Sequence, residues 1–480
     1  MREVDPRPAP LRRFAEIVTA ERFQRLEAEA HRARDMLASR TVWNVSSTAQ
    51  GGGVAEMLQT LVAYGLGAGV DTRWLVLEGD PAFFAITKRI HNLLHGTPGD
   101  GGDLGSRERA HFVAVQESNL ASAVERVRPG DVVLVHDPQP AGMIAGMRRR
   151  GARVVWRCHV GADVVDEHTE RGWAFLREFL EDAERYVFSR RQYAPSWLPD
   201  DALAVIPPSI DPFSAKNASL PPEDVRAVLR RAGLVGGPPG SGVDRRSLAF
   251  TRRDGSRGEV RAHAGLVDDG PLPEDARLVL QVSRWDRLKD MGGVLRAFAE
   301  HPTEWDDDVH LVLAGPEVTG VSDDPEGADV LAECRALRDR LSAEARRRIH
   351  LVCLPMDDAD ENAHLVNALQ RRADLVVQKS LVEGFGLTVT EPMWKGRPVV
   401  ASAVGGIRDQ VHDGVDGLLL DDPHDLATFA RLAGRVLREP DLAARLGGAA
   451  RERVRDQYLG DRHLIQYGEL FADLLGPSTP

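Results

Sequence analysis

The sequence EGFGLTVTE at residues 383–391 places two carboxylates, Glu383 and Glu391, on either side of a glycine-containing turn. An apolar run at residues 373–377 predicts a strand before it, and the residues after Gly386 predict a helix. A strand, a glycine turn and a helix start direct backbone N–H groups and the positive end of a helix dipole toward one point. This arrangement suits a phosphate, with the carboxylates on sugar hydroxyls. The alternative is a packing turn with two surface glutamates.

Composition places the chain among globular proteins of the cytoplasm. Its 480 residues predict two domains of roughly 200 residues each. The net charge of -12 argues against a nucleic-acid partner. The three cysteines are far apart in sequence, which is typical of buried thiols in a reducing compartment. Without a long apolar run or a leading signal segment, we expect no membrane association.

Strands and helices alternate in the N-terminal half. A strand at residues 41–45 is followed by three glycines at residues 51–53 and a helix, a layout that lets a phosphate or a sugar approach the backbone. Strands at residues 131–135 and 153–158 end in His136 and His159. Ligands of doubly wound parallel sheets bind at the carboxyl ends of strands. The two histidines therefore indicate a site, with ordinary hydrogen-bonding residues as the alternative.

A second α/β pattern begins at residue 276, after a glycine-rich and charged stretch. The predicted division is an N-terminal domain at 1–215 with leading helices, a linker or insertion at 216–275, a C-terminal domain at 276–458 and a helix at 459–480 that packs back on the N-terminal domain. The loop after the first strand of the second pattern carries Arg284 and Lys289. Two cations that converge on one point suit a diphosphate, whereas the alternative is a solvated surface.

These motifs together resemble the retaining glycosyltransferases of family 4. Ser283-Arg284, Lys289 and the pair Glu383-x7-Glu391 carry the resemblance, which extends over residues 41–475. The N-terminal half is more similar to the trehalose-synthesising branch of that family, through WNVSSTAQGGGVAEML at 43–58, HDPQP at 136–140, WRCH at 156–159 and PPSIDP at 207–212. The related retaining trehalose phosphorylases share much of this pattern. The resemblance implies an α/β GT-B fold, two doubly wound Rossmann-like domains facing an interdomain cleft. The insertion at 235–272 departs from the compact family pattern.

The resemblance also implies a role for each site residue. The implied catalytic residues are Glu383, Arg284, Lys289 and His159. The implied donor-binding residues are Gly52, Gly53, Leu354, Gly386, Leu387, Thr388 and Glu391. The implied acceptor-binding residues are His136, Asp137 and Arg157. The first domain would serve the acceptor and the second the nucleotide sugar. Glu383 would hold the hydroxyls of the transferred glucose, Glu391 the ribose, and the segment 354–356 would face the base.

The implied reaction moves glucose from a nucleoside diphosphate glucose to free glucose and forms α,α-trehalose reversibly. No metal cofactor is expected, because Arg284 and Lys289 would neutralise the diphosphate, and the adjacent acids at 323–324 and 357–358 are typical of solvated turns. Three alternatives stay open: trehalose phosphorolysis, transfer to another acceptor, and a nucleotide-sugar sensor without catalysis. The base of the donor also stays open. The N-terminal helices and the basic run at 148–150 are candidates for a homodimer interface.

Overall fold

Two parallel sheets, each seven strands wide, form the framework of the part of the chain that the structure describes. The structure is a computed structural model that describes residues 1–49, 52–236, 244–266, 270–318 and 325–476. The chain divides into two units, a first one of residues 1–209 and 457–480 and a second one of residues 210–456.

The sheet of the first unit is parallel except at one edge. Its strands are β1 (Arg2–Val4), β2 (Val42–Ser46), β3 (Thr72–Val76), β4 (Val132–His136), β5 (Arg153–Cys158), β6 (Arg185–Phe188) and β7 (Leu203–Val205). They are arranged in the order β1-β3-β2-β4-β5-β6-β7, and β1 runs antiparallel to β3. The strand order reverses between β2 and β4, as in a doubly wound sheet.

The first unit contains the helices α1 (Ala20–Met36), α2 (Gly52–Gly67), α3 (Pro81–Leu94), α4 (Ser106–Ala123), α5 (Ile144–Arg149) and α6 (Glu167–Leu180). Side-chain caps define where α3 and α6 begin. Asp80 caps α3 by accepting a hydrogen bond from Phe83 N at 2.8 Å, directly before Pro81. Asp166 and Thr169 form a reciprocal capping box at α6. These caps explain why the two helices begin there.

Both faces of the first sheet are buried, and successive apolar residues of a strand point to opposite faces. Val133 and Val135 of β4 pack toward a cluster that includes residues of α3 to α6, whereas Val132 and Leu134 contribute to a cluster on the other face. A fully buried valine or leucine contributes roughly 1.5–3 kcal/mol, so both faces stabilise the unit. The unbroken apolar run at β4 is the pattern expected for a strand covered on both sides.

The second unit repeats this architecture. Its strands are β8 (Ala249–Thr251), β9 (Arg257–Glu259), β10 (Gly265–Leu266), β11 (Arg277–Val282), β12 (Val309–Pro316), β13 (Ile349–Leu354), β14 (Leu375–Gln378), β15 (Val399–Ser402) and β16 (Leu418–Leu420). The main sheet has the order β10-β13-β12-β11-β14-β15-β16, with β10 antiparallel to β13, and β8 pairs with β9 separately.

Nine helices were assigned to the described part of this unit. They are α7 (Pro222–Arg231), α8 (Met291–Glu300), α9 (Pro325–Asp339), α10 (Ala343–Arg347), α11 (Ala359–Arg372), α12 (Leu387–Trp394), α13 (Ile407–Gln410), α14 (Leu426–Arg438) and α15 (Pro440–Gln457). The strand, turn and helix expected around residues 373–396 are β14, the loop after it and α12.

The segment 216–275 is more than the linker or insertion that its composition suggested. Its helix α7 packs on α11, and Val228, Leu248 and Phe250 belong to the same buried cluster as strand residues of the second sheet. Glu361 of α11 accepts the N–H groups of Arg261 and Ala262 at 2.6 and 2.7 Å. The charged, glycine-rich composition concealed these apolar anchors, which are widely spaced in sequence.

A last helix, α16 (Gly460–Leu475), belongs to the first unit. Its residue Asp461 accepts from Arg22 Nη2 of α1 at 2.8 Å, and Arg462 donates to the carbonyl oxygen of Pro207 at 2.8 Å. Phe471 and Leu474 join the buried cluster on the face of the sheet that α1 also covers. The chain therefore returns to the first unit after completing the second.

Candidate active site

Lys289 and Glu383 form the centre of the candidate site in the second unit. Lys289 ends a 3-10 turn, Arg287–Lys289, after β11, and Glu383 lies in the loop after β14. Lys289 Nζ is 2.6 Å from Glu383 Oε2, and Ser380 Oγ donates to the same oxygen at 3.2 Å. The side chains of Lys289 and Glu383 are 16% and 9% exposed. Solvent therefore screens this ion pair less than a surface pair.

The topology of the second sheet explains why these two residues meet. Strands β11 and β14 are neighbours, and β12 and β13 continue on one side while β15 and β16 continue on the other. Such a reversal of strand order separates the loops beyond the strand ends and creates the usual ligand site of doubly wound sheets. Lys289 and Glu383 are carried by the two loops that leave the sheet at this point.

Hydrogen bonds between polar side chains connect the ends of β11 and β14 near the ion pair. Gln281 Nε2 donates to the Lys289 carbonyl oxygen at 2.7 Å. Ser283 Oγ and the Gln378 side chain hydrogen-bond at 3.1–3.2 Å across the switch point. Sequence reasoning overlooked Gln281 and Gln378. The available signal was a glutamine near the end of two otherwise apolar strands, because a buried amide there requires partners.

Gly386 positions the start of α12 beside Glu383. Its backbone is left-handed, with φ 89° and ψ 53°, a conformation that glycine adopts without the strain of a side chain. The first-turn N–H groups of Leu387 and Thr388 have no partner within an α-helix, and they lie at its positive end. Thr388 Oγ1 is buried and has no hydrogen-bond partner among the described residues. This helix start can accept an anion.

Glu391 lies among buried polar partners on α12. Its carboxylate is 3.4 Å from Lys216 Nζ and accepts a hydrogen bond from Gln370 Nε2 at 3.4 Å. Lys395 donates to Gln370 Oε1 at 2.7 Å, and burial holds the pKa of Lys395 well below the usual lysine value. The sequence paired Glu391 with Glu383 by spacing alone and did not include Lys216, Gln370 or Lys395. Ribose binding by Glu391 stays a prediction.

Arg284 and Leu354 have other contacts in this structure, and their roles toward the donor stay predictions. Arg284 is 55% exposed, and its Nη2 donates to Asp286 Oδ2 at 2.8 Å. The structure brings Lys289 to Glu383 and Arg284 to Asp286. Leu354 is 2% exposed at the end of β13, within the core. Met356 of the same segment is 45% exposed, and the predicted contact of segment 354–356 with the base stays a prediction.

In the first unit, the predicted acceptor residues Arg157 and His136 are linked through His159 in one hydrogen-bonded series. Arg157 Nε lies 3.4 Å from His159 Nδ1, His159 Nε2 lies 3.3 Å from His136 Nδ1, and His136 Nε2 lies 3.0 Å from Asn44 Oδ1. Asn44 is on β2 and His136 on β4, so this series crosses the switch point of the first sheet. The structure therefore brings together the side chains that the sequence placed at separate strand ends.

The end of this series decides the tautomers of both histidines. A guanidinium group can only donate, so His159 Nδ1 accepts from Arg157. His159 then carries its proton on Nε2 and donates to His136 Nδ1, and His136 donates from Nε2 to Asn44 Oδ1. Burial and the nearby Arg157 charge lower the pKa of His136 to about 3 and hold that of His159 well below its usual value. Both histidines are neutral, and neither has a ring nitrogen available as a base.

Asp137 directs the loop after β4. It is one of two non-glycine residues in the described chain with a left-handed backbone, at φ 65°. Its carboxylate accepts the N–H of His159 at 2.7 Å, and its carbonyl oxygen accepts from Trp156 Nε1 at 3.1 Å. Burial raises the pKa of Asp137 to about 7, although the His159 N–H and the charge of Arg157 act in the opposite direction. Local strain and a perturbed carboxyl are common at functional sites.

Helix α16 contributes two residues near the hydrogen-bonded histidines, and neither was predicted from the sequence. His463 Nδ1 is 2.8 Å from Ser209 Oγ, and the His463 ring stacks on Tyr467 with 5.1 Å between centroids. His463 Nε2 and the Tyr467 hydroxyl are buried without a hydrogen-bond partner in the described part of the chain. The signal was a histidine and a tyrosine four residues apart on an otherwise apolar helical face.

The glycine loop after β2 is partly helical. Gln50 and Gly51 lie outside the described residues. Gly52 and Gly53 are the first residues of α2, although the sequence placed them in a loop and began the helix at Val54. Glycine is tolerated in a first turn because the helix has not yet closed its hydrogen bonds there. Their predicted contact with the donor stays a prediction.

The buried neutral His136 predicts an acid-sensitive first unit. Its folded pKa of about 3 lies below the unfolded value of about 6.5, so the unfolded state takes up the proton first. Stability from this residue is fully present above pH 6.5 and is lost as the pH falls toward 3, by on the order of 4 kcal/mol. The free energy of unfolding, measured by chemical denaturation between pH 7 and 4, is therefore expected to depend less on pH in His136→Gln than in the wild type. The same substitution at the exposed His31 is the control, and equal slopes for His136→Gln and wild type would contradict the assignment.

The described residues contain neither a metal-binding cluster nor a helix that could span a membrane. No group of three or more histidine, cysteine, aspartate or glutamate side chains with metal-binding geometry occurs in the described ranges. Asp358 caps α11 and pairs with Arg252 at 2.6 Å, whereas the acids at 323–324 lie outside those ranges. None of the helices in those ranges is long and apolar enough to span a bilayer.

The sequence is similar to known glycosyltransferases along most of its length. Residues 44–195 match the family model "Trehalose synthase, N-terminal domain", and residues 266–453 match "Glycosyl transferases group 1". The chain is 32% identical over 478 residues to the trehalose synthase of Rubrobacter xylanophilus, covering 99% of this chain and 100% of that protein. It is 27% identical over 398 residues to the trehalose phosphorylase of Pleurotus sajor-caju, covering 78% of this chain and 50% of that protein.

Among solved structures, a UDP-forming α,α-trehalose-phosphate synthase from Burkholderia xenovorans in complex with glucose-6-phosphate has a TM-score of 0.65 at 15% identity. The alignment covers 91% of this chain and 100% of that one. This likeness confirms the predicted GT-B fold of two Rossmann-like parts. The full-length identity to a trehalose synthase, together with the two family models, shows that the chain belongs to the trehalose synthase family of glycosyltransferases.

Proposed function

We propose that this enzyme transfers glucose, with retention of configuration, from a nucleoside diphosphate glucose to free glucose and forms α,α-trehalose reversibly. The observation that carries the proposal is the Lys289–Glu383 contact of 2.6 Å at the switch point of the second sheet, beside the glycine-capped start of α12. A cation, a carboxylate and free helix-start N–H groups at one place are the groups that a sugar diphosphate requires. The relatives named trehalose synthase support the choice of product.

The donor diphosphate would bind to positive groups of the second unit. Lys289 would contact a phosphate oxygen, and the N–H groups of Leu387 and Thr388 would hold the distal phosphate at the positive end of α12. Arg284 is exposed and would move from Asp286 toward the phosphates when a donor binds. Glu391 would hold the ribose hydroxyls. These groups stabilise the negative charge that develops on the leaving diphosphate.

Glu383 would orient the transferred glucose. Its carboxylate accepts hydrogen bonds from Lys289 and Ser380, and it offers further acceptor positions for sugar hydroxyls. The bond between C1 of the donor glucose and the phosphate oxygen breaks, and a bond from C1 to the acceptor hydroxyl oxygen forms on the same face. The acceptor proton passes to the departing phosphate oxygen. Glu383 thus stabilises the positive charge on the sugar ring without forming a covalent bond.

The first unit would supply neutral polar groups for the sugars. The ring nitrogens of His159 and His136 are engaged with Arg157, Asn44 and each other, so the His159 ring would lie against the transferred sugar without transferring a proton. Asp137, with a pKa of about 7, would accept a hydrogen bond from the acceptor sugar when ionised and donate one to it when protonated. Gly52 and Gly53 would let the start of α2 approach the donor closely.

Metal independence is part of this proposal. Lys289 and Arg284 can neutralise the diphosphate in the place of a divalent cation, because each brings a full positive charge. Turnover is therefore expected to stay within about twofold of its starting value after treatment with EDTA and removal of the chelate. The assay is product formation before and after added Mg²⁺ or Mn²⁺. A large loss that one of these ions restores would contradict metal independence.

A donor panel tests the main reaction. ADP-glucose, UDP-glucose and GDP-glucose are each incubated with free glucose, and the product linkage is read by NMR. An α,α-1,1 linkage formed from at least one donor is the expected result. Product only with another sugar or alcohol would favour the alternative acceptor. Calorimetry that shows donor binding without turnover for any acceptor would favour a sensor.

Trehalose phosphorolysis is the second candidate. It is favoured by the match to the phosphorylase of Pleurotus sajor-caju, of which this chain spans half. Both reactions use cations for a phosphate and differ in whether a nucleotide takes part. The enzyme is incubated with trehalose and either inorganic phosphate or a nucleoside diphosphate. Glucose 1-phosphate formed without nucleotide would overturn the transferase proposal, whereas nucleotide-dependent loss of trehalose would support it.

A further inference from the structure

A second ion pair, Asp290–Lys379, lies next to the Lys289–Glu383 pair. Asp290 follows Lys289 directly, and Lys379 comes four residues before Glu383. The Lys379 ammonium is hydrogen-bonded to Asp290 Oδ2, and the Lys379 side chain is fully buried. An ammonium group without contact with water is costly unless a carboxylate compensates it. The site therefore includes a buried charge that the proposed reaction does not use.

Asp290 combines three structural roles. Its backbone is left-handed, with φ 46° and ψ 45°, which ends the 3-10 turn and lets the chain enter α8. Its Oδ1 accepts the N–H of Gly293 at 3.0 Å and so caps α8. Its Oδ2 holds Lys379. Non-glycine residues rarely adopt this backbone conformation unless surrounding contacts impose it.

The loops that carry the two ion pairs are joined at further points. Leu381 N donates to the Leu288 carbonyl oxygen at 2.8 Å, and Gln281 holds the Lys289 carbonyl oxygen at 2.7 Å. The Asp290–Lys379 pair adds to these neutral connections a second charged one, beside the Lys289–Glu383 pair. Because it lies one residue from Lys289, a shift of Asp290 moves the backbone from which the Lys289 side chain extends.

We infer that Asp290 and Lys379 are positioning residues that hold Lys289 opposite Glu383. They touch neither substrate nor reacting atoms and act through the loop geometry. The inference rests on the proposed function, in which Lys289 binds the donor diphosphate. A purely structural pair would instead stabilise the unit without affecting where Lys289 Nζ lies.

The double variant Asp290→Asn with Lys379→Met separates these roles. Asparagine tolerates the left-handed backbone and still caps α8, and methionine fills most of the lysine volume, so no buried charge is left unpaired. Each single variant leaves one partner mismatched and is compared for folding alone. The double variant is expected to unfold near the wild-type temperature. It is also expected to bind ADP, UDP or GDP roughly tenfold or more weakly, while binding of the matching nucleoside is unchanged.

Lysine labelling gives a readout that needs no ligand. Acetic anhydride followed by mass spectrometry measures the reactivity of Lys289 relative to the exposed Lys88. We expect Lys289 to be acetylated several-fold faster in the double variant, because it leaves Glu383. An unchanged labelling rate together with unchanged diphosphate affinity would overturn the inference. If the wild type binds no nucleoside diphosphate, the proposed function fails, and labelling still tests the positioning.

Two adjacent glycines of α8 provide a matched pair of variants. A Cβ atom on Gly293 would lie 2.1 Å from Asp290 Oδ2, whereas one on Gly292 would only reach Leu337 at 3.6 Å. Gly293→Ala is therefore expected to displace Asp290 and raise Lys289 labelling several-fold, with kcat lowered roughly tenfold. Gly292→Ala keeps the wild-type values, because alanine is favourable in a helix. Equal behaviour of the two variants would count against a role for the Asp290 carboxylate.

Discussion

Replacing Lys289 by methionine or Glu383 by glutamine is expected to lower glucosyl transfer by on the order of a hundredfold or more in each case. Lys289→Met removes the charge that stabilises the leaving diphosphate, so both kcat and diphosphate affinity fall. Glu383→Gln keeps a hydrogen-bonding group but removes the charge that faces the sugar ring, so kcat falls more than donor affinity. Initial rates and calorimetry with the nucleoside diphosphate measure the two effects.

The ion pair also predicts how the two changes combine. Lys289 Nζ and Glu383 Oε2 are 2.6 Å apart, so their effects are coupled. The variant that combines Lys289→Met with Glu383→Gln should therefore lose less glucosyl transfer than the product of the two single losses. Arg287→Met is the control, because Arg287 lies in the same turn and its guanidinium contacts Glu333 at 2.8 Å. It is expected to retain nearly full activity. Wild-type rates in Lys289→Met and Glu383→Gln would remove the proposed site.

The second large effect is expected at Gly386. A Cβ atom there would lie 3.1 Å from Glu383 Cγ and 3.0 Å from Ile407 Cγ1, and the backbone has φ 89°. Alanine would therefore strain the backbone by roughly 1–2 kcal/mol and also push Glu383 away. A contact of 3.1 Å requires Glu383 to move by a few tenths of an ångström, so Gly386→Ala is expected to lose on the order of tenfold in turnover.

Gly414 separates the strain from the displacement. Its backbone is also left-handed, with φ 73°, and an added Cβ atom would have no neighbour within 4 Å. Gly414→Ala is expected to lose roughly 1–2 kcal/mol of stability and to keep its activity. Chemical denaturation and initial rates are measured on both variants. A similar loss of activity at both positions would mean that backbone strain, and not the position of Glu383, determines turnover.

Local patterns predicted much of the fold. The alternation of apolar strands with helices predicted two doubly wound parts, because a strand covered on both faces must be apolar throughout. The turn at Gly386 was predictable because a glycine between an apolar strand pattern and a helix pattern marks a tight turn. The segment 216–275 was not, because its apolar anchors, such as Val228 and Phe250, are scattered among charged residues and show no regular period.

The site depended more on tertiary contacts. The spacing of Glu383 and Glu391 indicated a sugar site, yet Glu391 contacts Lys216 and Gln370, which come from other elements. The segment 354–356 was predicted to face the base, and sequence alone did not reveal that the Leu354 side chain at the end of β13 is buried. Likewise, the helix at 459–480 was expected on the first unit, but no local pattern singled out the stacked His463 and Tyr467 on it.

The sequence by itself determined the strand ends, the glycine turn and the chemical type of each candidate group. Only the tertiary structure decided which of these groups meet. Lys289 and Glu383 are 94 residues apart along the chain, and they come together because β11 and β14 become neighbours at the reversal of strand order. That neighbourhood arises from packing of the whole sheet and its covering helices, so no short stretch of sequence encodes it. The motif at 383–391 holds the carboxylate, and the fold brings the cation to it.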